Sequence, residues 1–166
     1  PLIKYVAKTG KPMIISTGMA DAEEIEEAIN AAREGGCNEL AILHCVSAYP
    51  APAADYNLRT LVDMQKKFGL VTGLSDHTID NTTAIGGVAL GASIIEKHVT
   101  LDRNGGGPDD TFSLEHNELK ELVEGTLNIV NKFSSSGHIF NLGHGITPDA
   151  KIHNVELLLK TIKEEN

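Results

Sequence analysis

LVTGLSDHTIDNTTAIGGVALGASIIEKHV, residues 70–99, contains two short apolar runs that flank a segment rich in small residues. Near-continuous hydrophobicity over so few residues is typical of parallel strands that are covered on both faces. The small residues between the runs, 81–90, predict a helix that packs closely against those strands. A strand, a helix and a second strand in this order predict a β–α–β unit with a right-handed crossover.

The same alternation continues on either side of this unit. Asp21 is the predicted N-cap of an amphipathic helix, and another helix over 57–68 should end at Gly69. Ser113 should cap a later helix. The remaining apolar runs are 12–17, 40–47 and 138–144. Strict alternation predicts an α/β fold with a parallel sheet of strand–helix repeats, either as part of a barrel or as an open five-stranded sheet.

The composition is that of an ordinary globular protein, and it narrows the range of partners. A formal charge of −9 opposes nucleic-acid and membrane-surface binding, since both usually require a basic face. The apolar runs are too short for a transmembrane helix, and the first residues lack the core of a signal peptide. Cys37 and Cys45 flank one predicted strand, too far apart for a disulfide, so we expect free thiols and a cytoplasmic location.

Polar side chains cluster where the predicted strands end. In parallel α/β folds the carboxyl ends of the strands form the functional face, in barrels and in open sheets alike. Serine or histidine at five successive strand ends is therefore a stronger indication of a site than any one of these residues. They are Ser16, Ser47, Ser75 with His77, His98 and His144.

The two histidines His77 and His98 follow consecutive predicted strands. Adjacent strands lie about 4.8 Å apart, so the two imidazoles could share one metal ion. Asp109 in the next loop could add a carboxylate ligand. The alternative is a pair of hydrogen-bonded structural or substrate-binding histidines, which the spacing alone does not exclude. Alternation places Glu96 on the same face as His98 and Lys97 on the opposite face, which argues against a Schiff-base lysine.

The strand-end serines and one loop each have two interpretations. Hydroxyl groups at strand ends and helix starts often hold phosphate, but they also cap the next helix. The glycine-rich, acidic loop RNGGGPDDTFSLE, residues 103–115, is either a lid that carries Asp109 into the site or a plain surface loop. It is not a P-loop, because no Gly-Lys-Ser/Thr follows its glycines.

Five motifs occur in order over residues 1–123: KPMIISTGMADAEEIEEAI, LHCVSAYPAP, GLSDHT, IEKHVTLDRN and GPDDTFSLE. Together they resemble the sialic acid synthase family, which includes N-acetylneuraminate, legionaminate and pseudaminate synthases. The resemblance implies a TIM barrel and a divalent metal, Mn or Mg. It also implies condensation of phosphoenolpyruvate with an N-acylated aminosugar aldehyde to give a sialic-type acid and phosphate. The last motif resembles the pseudaminate branch most.

The same resemblance implies roles for individual residues. The histidines of SDHT and IEKH, His77 and His98, would bind the metal, which would polarise the aldehyde as a Lewis acid. The resemblance implies that Ser16, Ser47 and Ser75 contact phosphoenolpyruvate. It also implies that Tyr49 and Asp109 lie against the sugar as catalytic residues.

The resemblance is incomplete at both ends of the sequence. The chain begins in what resembles the helix after the family's fourth strand, so we expect a half TIM barrel of the last four strand–helix units plus one extra unit. The tail GHIFNLGHGITPDAKIHNVELLLKTI resembles the C-terminus of uroporphyrinogen decarboxylase, where His144 would lie at the active-site cleft. We therefore expect a chimera of 1–125 and 126–166 within one domain.

Three functional hypotheses follow from this half-barrel. The first is a part of a condensing enzyme that keeps a metal and phosphate half-site but is inactive alone. The second is a purely structural engineered chimera without a ligand. The third is an active synthase formed by a homo-oligomer through exposed sheet edges, which invite pairing with another chain. The resemblance implies that lysines which bind phosphoenolpyruvate lie on the family's first four strands. A dimer would repeat the same half and would not supply them, so the third is disfavoured.

Overall fold

A computed structural model describes residues 1–133 and 139–142, and it contains every strand that the apolar runs predict. The strands are β1 (Met13–Ser16), β2 (Leu40–Cys45), β3 (Val71–Asp76), β4 (Ile94–Lys97) and β5 (Ile139–Leu142). The helices are α1 (Leu2–Ala7), α2 (Ala22–Glu34), α3 (Thr60–Phe68), α4 (Thr82–Ala89) and α5 (His116–Phe133), with short 3₁₀ turns at Ala53–Tyr56 and Asp110–Phe112. The alternation read from the sequence is confirmed.

The order of the strands separates the two architectures that the pattern allows. All neighbouring strands are parallel, and their spatial order is the chain order β1-β2-β3-β4-β5. An open doubly wound sheet has helices on both faces because its strand order reverses at a switch point. Right-handed crossovers between strands in unbroken chain order place every helix on the same face. The described sheet is therefore a half TIM barrel, not an open sheet with helices on both faces.

Side chains of the strands alternate between the helix-covered face and the inner face. Ile42, Leu74 and Ile95 are buried with apolar residues of the helices, whereas Leu43 and Ile94 form a separate cluster on the inner face. Little space remains on that inner face next to β4. A Cβ atom added to Gly73 would lie 2.5 Å from the carbonyl oxygen of Ile94. The inner face is thus filled in its middle by Leu43 and Ile94 against Gly73, and it is polar at the carboxyl ends of the strands.

The ends of the helices agree with the sequence at two positions and differ at a third. The Asp21 carboxylate accepts hydrogen bonds from the amides of Glu23 and Glu24, which completes the predicted cap of α2. Gly69 ends α3 with a φ of 62°, a left-handed conformation that favours glycine. The prediction that Ser113 caps α5 is wrong. Its hydroxyl donates to the Asp109 carbonyl at 2.7 Å, because the chain first pairs beside β4 and the helix starts only at His116.

Several expectations concern parts of the chain that the structure does not describe. His144 lies outside the described residues, as does most of the tail that resembles uroporphyrinogen decarboxylase. Within the described ranges, β1 and β5 are the outer strands of the sheet, and assembly through these edges stays a prediction. In the same ranges, no helix combines the length and apolar character that crossing a membrane requires.

Candidate functional site

The centre of the site is the histidine pair at the carboxyl ends of β3 and β4. Asp76 and Lys97 are register partners on these strands, so His77 and His98, one residue further on, lie at the same level. Both imidazoles are buried, and their ring centroids are 5.3 Å apart. Two imidazoles that bind one ion at bond lengths of about 2.1 Å have ring centroids about 5 Å apart. The predicted juxtaposition is confirmed, and its geometry suits a shared ion.

The hydrogen bonds of the two rings determine which nitrogens could face a ligand. Nδ1 of His77 lies 2.8 Å from the Val46 carbonyl oxygen, which can only accept, so this nitrogen carries a proton and Nε2 is the ring nitrogen that could face a ligand. Nδ1 of His98 lies 3.5 Å from a carboxylate oxygen of Asp109. Of the two interpretations of the loop over 103–115, this contact agrees with the one in which the loop carries Asp109 into the site. Among the described residues, no group of three or more His, Cys, Asp or Glu side chains is arranged to hold a metal. The described residues thus bring a pair of imidazoles together there, with the Asp109 carboxylate beside one of them.

Two aromatic rings enclose the histidine pair. The ring centroid of Tyr49 lies 4.2 Å from that of His77 and 5.9 Å from that of His98. Phe112 packs 5.1 Å from His98 and 5.7 Å from Tyr49. Partial burial, with the Cys45 thiolate that forms at high pH and the carboxylates of Asp109 and Glu96 nearby, raises the pKa of Tyr49. Its phenol therefore stays protonated at neutral pH, and 55% of the residue is exposed, where it could meet a substrate.

The three predicted serines do not converge on one point. Ser75 donates to Oε1 of Glu96 at 2.8 Å, and Ser16 donates to the same oxygen at 3.5 Å. Ser47 lies in the loop after β2, where its Oγ would be 3.2 Å from a Cβ atom added to Gly18. The inner-face carboxylate of Glu96 thus collects two of the three hydroxyl groups. Sequence reasoning placed Glu96 on the face of His98 but did not include it in the site.

A second residue that sequence reasoning missed is Tyr56. Its buried hydroxyl donates to the Ser75 carbonyl at 3.1 Å and accepts from the His77 amide at 2.7 Å. Burial raises the pKa of Tyr56, against the opposing effect of the His77 amide, so the hydroxyl keeps its proton. The side chain therefore takes the place of a strand partner where β3 ends and holds the backbone on both sides of Asp76.

Lys97 is excluded from the inner face, as alternation predicted. Its Nζ lies 2.8 Å from Oδ2 of Asp76, and both side chains are buried on the helix side of the sheet. A Schiff base requires a lysine that reaches the substrate as a free amine. Lys97 is committed to an ion pair on the other side of the strand, so this alternative has no structural support.

The loop over 103–115 is tied to the start of α5. The Arg103 amide donates to Glu115 at 2.9 Å, its Nε donates to the Ser113 carbonyl at 2.9 Å, and its guanidinium bonds Glu118. The hydrogen bond from Arg103 lowers the pKa of Glu118 and, in return, raises the pKa of Arg103. In the described structure this loop is braced at its base while it holds Asp109 beside His98.

The Glu118 bond gives a testable dependence of stability on pH. A carboxyl whose pKa is lowered on folding stabilises the fold above its unfolded pKa of about 4.3, and the contribution is lost as the pH falls through the folded value. We expect Glu118→Gln to lower the free energy of unfolding by about 1 kcal/mol at pH 7. The difference should shrink as the pH falls below the unfolded pKa and vanish below the folded one, as measured by urea unfolding.

The matched control for this prediction is Glu124→Gln. Glu124 pairs with Lys120 at 3.8 Å on the exposed side of α5, so its loss should change stability by only a few tenths of a kcal/mol. Parallel pH profiles for the wild type and Glu118→Gln would contradict the assigned role of Arg103.

Comparison with known proteins agrees with this arrangement of strand ends. The sequence profile of the NeuB family matches residues 1–137. This chain belongs to the NeuB family. The match extends past the boundary predicted between residues 125 and 126, and the origin of the tail stays a prediction.

Individual NeuB relatives are similar over most of the chain. The N,N'-diacetyllegionaminic acid synthase of Campylobacter jejuni is 46% identical over 124 residues, which are 74% of this chain and 37% of that protein. The pseudaminic acid synthase of Helicobacter pylori is 42% identical over 74% of this chain and 36% of its own length. A crystal structure of an N-acetylneuraminic acid synthetase from Leptospira borgpetersenii, in complex with citrate, superposes with a TM-score of 0.76 at 33% identity. The superposition covers 96% of this chain and 52% of the Leptospira chain. The chain thus spans less than two fifths of the two synthases named first.

Proposed function

We propose that the described residues form one side of a site that condenses phosphoenolpyruvate with an N-acylated aminosugar, namely the side that binds a divalent metal and the sugar aldehyde. The observation that carries the proposal is the buried pair of His77 and His98 at one level on adjacent strands. The synthase names of the NeuB relatives support it.

The donor set indicates which metal this side would hold. Nε2 of His77 and the imidazole of His98 would be the protein ligands, and Asp109 would lie in or next to the coordination sphere. Mg²⁺ is bound almost entirely by oxygen, so a mixed nitrogen and oxygen set suits Mn²⁺ better. When bound, a divalent cation withdraws electron density from a carbonyl oxygen and makes the aldehyde carbon a better electrophile.

Side chains around the pair would orient the sugar. The Tyr49 ring covers His77, and its neutral hydroxyl group can donate a hydrogen bond to a sugar oxygen. The carboxylate of Asp109 can accept hydrogen bonds from sugar hydroxyl or amide groups on the other side. Phe112 packs against His98 and keeps water from that edge of the ring. These residues bind and orient the substrate, and we keep Tyr49 and Asp109 as the catalytic candidates.

The serines remain the proposed contacts for phosphoenolpyruvate, with one condition. A serine hydroxyl has a single proton, and in this structure Ser16 and Ser75 direct theirs to Glu96. A bound phosphate would compete with this carboxylate for both hydroxyls and would be repelled by it. Phosphoenolpyruvate would therefore displace Glu96 from them or bind together with a cation. Ser47, in the loop beside Gly18, is outside this competition.

The test is to titrate the 166-residue chain with Mn²⁺. Binding is measured by calorimetry and by the paramagnetic resonance signal of free Mn²⁺. We expect the wild type to bind Mn²⁺. We expect His77→Ala and His98→Ala each to lower the affinity by about 100-fold or more. His116→Ala, at the exposed start of α5, is the matched control and should bind as the wild type does.

Failure of either part of the Mn²⁺ test would decide against this function. If the wild type does not bind Mn²⁺, or if both histidine variants bind it equally well, the purely structural hypothesis is favoured instead. Phosphate release from phosphoenolpyruvate on addition of an N-acylated aminosugar would instead favour the homo-oligomeric enzyme. We expect the 166-residue chain alone to bind ligands without releasing phosphate.

A further inference from the structure

A buried polar cluster lies directly behind the histidine pair, on the helix side of the sheet. Asp76 precedes His77 on β3, Lys97 precedes His98 on β4, and the two residues are register partners. Lys97 is 4% exposed and Asp76 is 0% exposed, and their Nζ and Oδ2 atoms are 2.8 Å apart. The residues that directly follow the two members of this ion pair are therefore the two proposed metal ligands.

Thr78 extends the cluster to the far side of His77. Nζ of Lys97 donates to the Thr78 carbonyl oxygen at 2.6 Å and to its Oγ1 at 3.3 Å. The Thr78 amide donates to Oδ1 of Asp76 at 2.9 Å, and its hydroxyl lies 3.2 Å from Oδ2. The ammonium group thus has three acceptors, and the residues before and after His77 are both bound to the residue that precedes His98.

Stability alone is a weak reason for this arrangement. Burying two charges has a large desolvation cost, and a buried ion pair often stabilises a fold no more than well-packed apolar residues of similar size. Such pairs are best attested where they fix one arrangement among several. Here the arrangement that they fix is the placement of one strand end relative to the next.

We propose that Lys97, Asp76 and Thr78 form a positioning cluster that fixes the ring of His77 relative to that of His98. The cluster does not touch the inner face, because strand alternation points residues 76 and 97 away from it. It acts through the backbone, whereas Val46 and Asp109 act on the rings themselves. Its importance for ligand binding rests on the proposed function, but the ring geometry can be tested without any ligand.

The main variant is the double substitution Lys97→Met with Asp76→Asn. It removes both charges, so no unpaired charge is buried, and the asparagine oxygen can still accept from the Thr78 amide. The readouts are nuclear Overhauser contacts between the imidazoles and the nitrogen resonances of both rings in the metal-free chain. The wild type should show a contact between His77 and His98 and a single His77 tautomer protonated on Nδ1.

In the double variant we expect that contact to disappear and the His77 nitrogen resonances to move towards averaged tautomers. Thr126→Val is the matched control, because it removes a buried hydroxyl that bonds only carbonyl groups of α5, remote from the pair. It should leave both readouts unchanged. If the double variant does not fold, Thr78→Val replaces it, and the His77 resonances should move in the same direction.

Unchanged contacts and tautomers in a folded double variant, or in Thr78→Val, would overturn the proposal. A Co²⁺ titration followed by visible absorption separates this result from a failure of the proposed function. If the wild type shows the ring contact and the double variant loses it, but the wild type does not bind Co²⁺, the metal proposal fails and the positioning cluster stands. If the wild type binds Co²⁺ and the double variant binds it equally well with unchanged ring contacts, the positioning cluster fails alone.

Discussion

Substitution of Gly73 with alanine is expected to lower the free energy of unfolding by about 3 kcal/mol or more. The new Cβ atom would lie 2.5 Å from the Ile94 carbonyl oxygen, 2.6 Å from a methyl carbon of Leu43 and 2.7 Å from the Ile94 Cβ atom. Two of these three atoms belong rigidly to β4, so they can recede only if β3 and β4 separate. Urea unfolding, monitored by circular dichroism, measures this loss of stability. In the extreme case we expect that the variant does not fold.

The matched glycine for this test is Gly86 in α4. A Cβ atom there would meet only the end of the Leu58 side chain, at 3.1 Å, and that methyl group can move. Alanine is favoured over glycine inside a helix by about 1 kcal/mol, so Gly86→Ala should be neutral or stabilising. If Gly73→Ala were as stable as Gly86→Ala, the inner face could not be packed as described.

Removal of the Tyr56 hydroxyl by Tyr56→Phe is expected to cost about 2–4 kcal/mol. The ring would keep its packing, but the Ser75 carbonyl and the His77 amide would lose a buried partner at the same time. A buried polar group without a partner costs about 1–3 kcal/mol, and two such groups are created here. Thermal and urea unfolding give the total, and hydrogen exchange at the His77 amide shows whether the loss is local.

Tyr49→Phe makes the same chemical change at a half-exposed ring and is the control. Its hydroxyl should be replaced by water contacts, so the cost should stay within about 0.5 kcal/mol. Equal stability losses in the two variants, or unchanged protection of the His77 amide in Tyr56→Phe, would show that Tyr56 does not hold the end of β3.

Local patterns were sufficient to predict the elements of the fold. Apolar runs located each described strand to within two residues, and Asp21 and Gly69 marked real helix ends. The pattern could not distinguish a barrel from an open sheet, because both have the same alternation and differ only in strand order. The cap at Ser113 was wrong because the backbone pairing of Leu114 beside β4 delays the helix.

The site was predictable to the extent that strand ends and register determine it. His77, His98 and Asp109 come together as expected, since each lies one step beyond a strand or in the next loop. Glu96 and Tyr56 were missed because their roles depend on contacts with serine and histidine positions 19 to 80 residues away. The sequence offered one signal for Glu96. Alternation placed this charged residue at a strand end, facing inwards.

The register of β3 with β4 has a consequence for how this site can be inherited. Asp76 and Lys97 are only 21 residues apart in sequence, so a single β–α–β segment contains both histidines and everything that sets their spacing from behind. Contacts of such low sequence separation form early and at a small entropic cost. The histidine pair and the cluster behind it can therefore be transferred together in this one segment, whereas Val46, Tyr56 and Asp109 must come from the chain around it.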